Sequence, residues 1–181
     1  ENTYLEVSSL QRLVSISLTA NTILKFLKKY TGYYPKLHQQ SQLIEVNTVI
    51  IEHVDNVVDR FGDIKDDASP LLSVLRQSIN KLRGKINSSF SSALNTYHNL
   101  DYLDDIRESV VENKRVLAVK AMYRRKVKGA IMGGSKTGSI VYIEPETTLQ
   151  YSRELNNIED EEKEEVIKIL KELTDYIRLF L

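Results

Sequence analysis

Eight cations and no acid lie between Asn113 and Ile143: Lys114, Arg115, Lys120, Arg124, Arg125, Lys126, Lys128 and Lys136. Side chains of this kind contact phosphates, and such contacts give sequence-independent affinity that salt weakens steeply. The densest part is Arg124-Arg125-Lys126-x-Lys128, with Tyr123 beside it. Lys120, Arg124, Arg125, Lys126, Lys128 and Lys136 are therefore candidate nucleic-acid-contacting residues. The alternative is a solvated surface that engages nothing, and composition does not choose between the two. The asymmetry is invisible in the totals, because 25 Lys and Arg balance 25 Asp and Glu over 181 residues.

Other residue types offer less. The chain has no Cys, which removes disulfides, thiol nucleophiles and cysteine metal sites and fits a reducing compartment. His38, His53 and His98 are far apart, with no second His or carboxylate pair at ligand spacing, so we expect packing or surface roles and no metal. Gly133-Gly134-Ser135-Lys136-Thr137-Gly138 has the composition of a phosphate loop but not its order. That loop needs the Lys after the second Gly and a helix N-terminus to receive the anion. Here Lys136 precedes Gly138 and a β-rich run follows, so a hairpin turn is expected. Asp59, Asp63, Asp66 and Asp67 surround Gly62, and Asp101, Asp104 and Asp105 form a second group. Neither has a nucleophile or metal partner, so both read as caps and turns, no catalytic residue is assigned, and the chain is expected not to be an enzyme. Glu154, Glu159, Asp160, Glu161, Glu162, Glu164 and Glu165 read as a solvated face near a helix N-terminus. The functional alternatives are a surface that repels nucleic acid or one that attracts a neighbouring chain's basic segment.

These residues need elements to position them. A helix is expected over about 3–30, with Leu10, Leu13, Val14, Leu18, Leu24 and Leu27 giving an apolar surface broad enough for burial on more than one side. Gly32 is available as a left-handed cap, and Pro35 follows. A second helix is expected over 41–61 on the spacing of Leu43, Val46, Ile50, Val54, Val57 and Phe61, with Gly62 as its stop. Ser69-Pro70 starts a third, Ser as N-cap and Pro at the first helical position. Its seam of Leu75, Ile79, Leu82, Ile86, Phe90, Ala93 and Tyr97 is narrow and close to a heptad, as in a coiled coil. The last helix runs from Glu146 to the end with a stripe of Leu155, Ile158, Val166, Ile169, Leu173, Ile177 and Phe180. At ~1.5 Å per residue it is on the order of 50 Å long. Arg115–Met122 and Ser139–Ile143 are β-rich, with turns expected at Gly133-Gly134 and Thr137-Gly138. The fold class is mainly α: long antiparallel helices forming a coiled-coil arm that carries a small antiparallel β insert.

No apolar run approaches the ~18–20 residues needed to span a bilayer. The N-terminus ENTYLEVSSL lacks the basic and apolar regions of a secretory signal. We expect no membrane partner. The chain does not begin with Met, and we expect a piece of a longer protein.

Several phrases resemble the MutS family, most of all its bacterial MutS-two branch. Val58–Leu72, reading VDRFGDIKDDASPLL, is similar to that branch's segment before a long helix. Arg115–Lys120, Gly129, Ser135–Gly138 and Ile143-Glu144-Pro145 resemble its R-x-x-L-x-V-K … G … S-x-S-G-x-T-x-x-x-E-P signature. Asn156, Glu159 and Glu161–Glu165 fit the acidic helix pattern that follows. Thr137 replaces a Ser and Ser139-Ile140 replaces a residue–Thr pair, which leaves open any specific role of those hydroxyls. The likeness runs from about residue 45 to the end and more weakly from residue 1. It implies a helical core or lever over 1–108, a small β-rich clamp-like insert over 109–145, and a returning lever helix over 146–181. It implies a DNA repair and recombination ATPase that dimerises and is cytoplasmic. ATP and Mg would bind only in a P-loop ATPase domain outside this chain, and a nuclease domain is a further possibility. The implied partners are duplex or branched DNA, or ribosomal RNA. The rival expectation is a structural module for dimerisation or protein interaction.

Overall fold

The computed structural model describes residues 3–46 and 48–180. In chain order the elements are α1 Val7–Lys29, α2 Pro35–Ser41, α3 Val49–Val57, α4 Pro70–Asn99, β1 Leu103–Val111, β2 Lys114–Lys120, β3 Gly129–Gly134, β4 Ile140–Pro145 and α5 Glu146–Arg178. They form two compact units, Glu1–Val74 with Glu162–Leu181, and Leu75–Glu161.

The first unit is helical. Leu10 of α1, Ile50 and Val54 of α3, Leu72 of α4, and Ile169, Leu170, Leu173 and Ile177 of α5 share one core with Val58 and Ile64. Pro70 opens α4 as expected, and Ser69 caps it by accepting the Leu72 N–H at 3.0 Å. The same hydroxyl donates to Glu165 at 2.8 Å. Glu165, expected on a solvated face, is thus buried, because the cap gives its carboxylate a donor.

Three helix expectations are corrected here. The helix over 41–61 is confined to α3, with Asn47 outside the described residues. Leu43 is 91 % exposed and Phe61 74 %, so the apolar spacing outlasts the surface it packs on. After Val57 the backbone finds other partners. Val58 bridges Ile64, and the Asp59 carboxylate accepts the N–H groups of Phe61 and Asp63. Gly62 makes this turn possible with φ at +92°. Gly32 does not take a left-handed conformation; Thr31 donates to the Lys28 carbonyl at 2.8 Å, and α1 ends at Lys29 before Pro35 opens α2. Finally, α1 is not buried on several sides: Leu10 and Asn21 are its buried residues, while Ile16, Leu18, Ile23 and Phe26 are exposed.

The second unit joins a helix pair to a sheet. Leu75, Ile79, Leu82, Phe90 and Ala93 of the α4 seam are all buried. Contacts with α5 run in opposite order along the two helices. Ser89 donates to the Thr147 carbonyl, the Lys85 ammonium lies over the Tyr151 ring, and Arg83 pairs with Glu159 at 2.8 Å. The sheet is antiparallel with order β1-β2-β4-β3. Glu112 and Asn113, both at positive φ, form the two-residue turn that a twisted hairpin requires between β1 and β2. β2 and β3 flank β4 and run parallel to each other, so residues 121–128 form a crossover connection. Phe90, Leu103, Leu117, Val119, Val127 and Ile143 make the core beneath it.

Two strands arise where none was named. β1 occupies 103–111, across the expected boundary between the helical region ending at 108 and the β-rich insert, and Gly133-Gly134 lies in β3 instead of a turn. Both are edge strands with one neighbour each, so neither shows the continuous apolar run of the buried β2. The β3–β4 turn is 135–139, with Gly138 at φ +72°.

Candidate nucleic-acid interface

The sheet register gathers the basic residues at one end. Lys120 pairs with Ile140, Leu103 with Val119 and Gly134 with Val141, so β2 and β3 end where β1 and β4 begin. The crossover and the 135–139 turn both leave from this end. They are tied together by the Ala121 N–H, which donates to the Ser139 carbonyl at 2.9 Å.

The crossover is held by aromatic rings. Its first residues, Ala121–Tyr123, make one 3-10 turn. Tyr123 stacks on Tyr102 at 4.6 Å and Tyr102 on Tyr97 at 6.3 Å. The Lys126 ammonium sits 5.7 and 5.8 Å from the centroids of Tyr102 and Tyr123, a favourable cation–π distance. Val127 is buried, and the Tyr97 hydroxyl accepts the Lys128 N–H at 3.4 Å. The backbone is thus fixed while Arg124, Arg125, Lys126 and Lys128 stay exposed. In the turn, Ser135 and Thr137, and Thr137 and Ser139, are hydrogen-bonded through their hydroxyls, which gives those hydroxyls a structural role. Lys136 is exposed at its tip.

The eight cations fall into two sets. Lys114 pairs with the buried Glu144 at 3.1 Å. Arg115 pairs with Glu108 at 2.6 Å and lies 4.3 Å over the Phe90 ring. Lys120 donates to the Asp101 carboxylate at 2.9 Å and its carbonyl at 3.2 Å. That side-chain hydrogen bond holds the Asp101 carboxyl below its usual range and raises the Lys120 ammonium above its own. Asp101 is positioned by the end of α4, where it takes φ +56° and donates to the His98 carbonyl while Tyr102 donates to Tyr97. These three cations are engaged within the fold. Arg124, Arg125, Lys126, Lys128 and Lys136 form no ion pair among the described residues. Of the candidates named from sequence, the fold thus places five on two joined loops and engages Lys120 internally. The Tyr97–Tyr102–Tyr123 stack was missed; its only signals were Tyr97 in the seam and Tyr123 beside the cations. Of the histidines, His53 packs on Tyr176 at 4.0 Å.

No protein-family model matches the chain. Curated relatives named Endonuclease MutS2 do match. The protein from Carboxydothermus hydrogenoformans is 32 % identical over 149 residues, covering 82 % of this chain and 19 % of that protein. That from Caldicellulosiruptor bescii is 27 % identical over 172 residues, 95 % of this chain and 21 % of its own length. That from Symbiobacterium thermophilum is 26 % identical over 173 residues, 96 % of this chain and 22 % of its own. The chain is MutS2-like. It spans about a fifth of these relatives, and the MutS2-like match extends over both compact units.

Proposed function

We propose that this chain is a non-catalytic nucleic-acid-binding region of a MutS2 protein, a lever and clamp that couples a distant ATPase domain to its target. The observation that carries this reading is the set of five exposed cations, unpaired by carboxylates among the described residues, on two loops joined by the Ala121–Ser139 hydrogen bond. A rigid cationic surface loses little entropy on meeting phosphates. The word endonuclease in the relatives' name supports a nucleic-acid target for the whole protein. α4 and α5, with contacts in opposite order, serve as an antiparallel lever arm, and the sheet serves as the clamp. ATP, Mg and any nuclease chemistry belong to segments outside this chain. The whole protein acts as a cytoplasmic homodimer in DNA repair or recombination, on duplex or branched DNA or on ribosomal RNA. No described helix is long and apolar enough to cross a membrane.

The test is a titration of this chain against duplex DNA, a four-way junction and structured RNA at two salt concentrations. Changing Arg124, Arg125, Lys126 and Lys128 to Ala should weaken binding equally for all sequences. It should also reduce the salt slope by about one for each phosphate no longer neutralised. Unchanged binding would sink the proposal.

A second reading rests on an uncharged surface. Phe26, Tyr30, Tyr33, Tyr34 and Leu37 form an exposed apolar and aromatic group around α1 and α2. A dimerisation or protein-interaction module would use such a surface. Sedimentation separates the readings, because self-association makes the mass rise with concentration.

A further inference from the structure

Met122 is 77 % exposed in the middle of the Ala121–Tyr123 turn. Single exposed apolar residues are common and need no explanation. Met122 differs in how it is held. On one side the Ala121 N–H is bonded to the Ser139 carbonyl at 2.9 Å, which ties the turn to the 135–139 loop. On the other side Tyr123 stacks on Tyr102 at 4.6 Å with the planes 22° apart. Arg124 N–H donates to the Ala121 carbonyl, and Lys126 N–H to that of Tyr123 at 2.8 Å. Both neighbours are thus fixed inward, and the residue between them is left outside. It is flanked in sequence by Lys120, Arg124 and Arg125, and the Lys136 turn adjoins it through Ser139.

An apolar tip close in sequence to the exposed Arg124 and Arg125 suits a partner that is anionic outside and apolar a few ångströms deeper. Nucleic acid has that layering: phosphates at the rim and base faces beneath. Apolar residues, Met among them, enter such base steps in proteins that grip and kink a duplex. The step costs least where stacking is already weak, at a bulge, junction or single-stranded segment.

We infer that Met122 is an apolar wedge that inserts against unstacked bases while the surrounding cations hold the phosphates, so that the clamp prefers distorted nucleic acid. This inference rests on the nucleic-acid reading given above. The wedge adds a contact that a phosphate surface alone does not have, and it gives a backbone-binding surface a way to choose among structures.

The test uses this chain with four probes: a bulged DNA duplex with 2-aminopurine beside the bulge, the same duplex without the bulge, inorganic polyphosphate, and phosphatidylserine vesicles. The parent chain should bind the bulged duplex best and raise its 2-aminopurine fluorescence as the base unstacks. Met122→Ala should weaken that binding about tenfold, because less apolar surface is buried against the bases. It should also abolish the fluorescence rise and leave polyphosphate affinity and the salt slope unchanged. Met122→Leu should retain both signals. If Met122→Ala binds the bulged duplex as the parent does, while the four-cation change abolishes binding, the wedge is wrong and the nucleic-acid reading stands. If the parent binds none of the probes at low salt, both fall. Loss of binding to phosphatidylserine vesicles in Met122→Ala, with DNA binding unchanged, would place the tip at a lipid surface and also overturn the inference.

Discussion

At the scale of residues, the pair formed by Lys120 and Asp101 shows how one contact divides a basic cluster. The ammonium is held by both the carboxylate and the carbonyl of Asp101, so this cation closes the joint between α4 and β1. Its pH behaviour follows from the two shifts. Asp101 is depressed, so its contribution is present above the ordinary aspartate range and is lost as pH falls through the lower folded value. Lys120 is raised, so its contribution is present below the ordinary lysine range and is lost as pH rises through the higher folded value. Asp101→Asn keeps a residue that tolerates the left-handed conformation and removes the charge. We expect the variant to be less stable than the parent at neutral pH. The difference should fade below about pH 4 and above about pH 10.5. Urea denaturation at three pH values measures it, and a difference that persists in strong acid would contradict the ion-pair account. The sequence exposed the cations but not this division, because Asp101 is 19 positions from Lys120 and meets it only once β1 has paired with β2.

At the scale of elements, legibility followed burial. α4 was readable end to end because Ser69-Pro70 marks its start and every seam residue from Leu75 to Ala93 keeps a heptad-like spacing. β2 was readable because Val116, Leu117, Ala118 and Val119 are all buried, and such a strand is written as an unbroken apolar run. β1 and β3 were not, since their identity comes from the neighbours that pair with them and not from their own composition. Gly129 is the clearest case. Its residue type gives no sign of a strand, yet it opens β3 at φ +156°, and a Cβ there would strike the Glu144 carbonyl oxygen and crowd Ile143. Glycine is needed for that close approach of two backbones. Gly129→Ala should destabilise the second unit by about 3 kcal/mol, combining backbone strain with overpacking. It should lower hydrogen-exchange protection first at the β3–β4 pairs, Ile131 with Ile143 and Ala130 with Glu144. Gly133→Ala is the control for glycine loss, since nothing lies within 4 Å of its Cβ position, although it too has positive φ. Equal effects at both positions would show that the Glu144 contact contributes nothing.

At the scale of the whole molecule, two cores share two helices. One core holds Leu10, Ile50, Val54 and Leu173; the other holds Phe90, Leu117, Val119 and Ile143, and none of the described residues belongs to both. Yet the division between the units falls inside α4, after Val74, and inside α5, after Glu161. Separate cores favour separate unfolding, while continuous helices favour a shared transition. The lever proposed above needs the second property to carry strain, and the proposed clamp needs the first to open by itself. Two substitutions tell them apart. Leu173→Ala should cost about 2–5 kcal/mol and Phe90→Ala about 3–5 kcal/mol, each by leaving a cavity in its own core. With separable units, Phe90→Ala should lower native-state exchange protection at Leu117 and Ile143 and spare Ile50 and Val54. Leu173→Ala should do the reverse. Exchange near Val74 and Glu161 should respond to both, because the division between the units falls within those continuous helices. If either substitution lowers protection everywhere by the same amount, the chain unfolds as one body, and the proposed independent opening of the clamp loses its physical support.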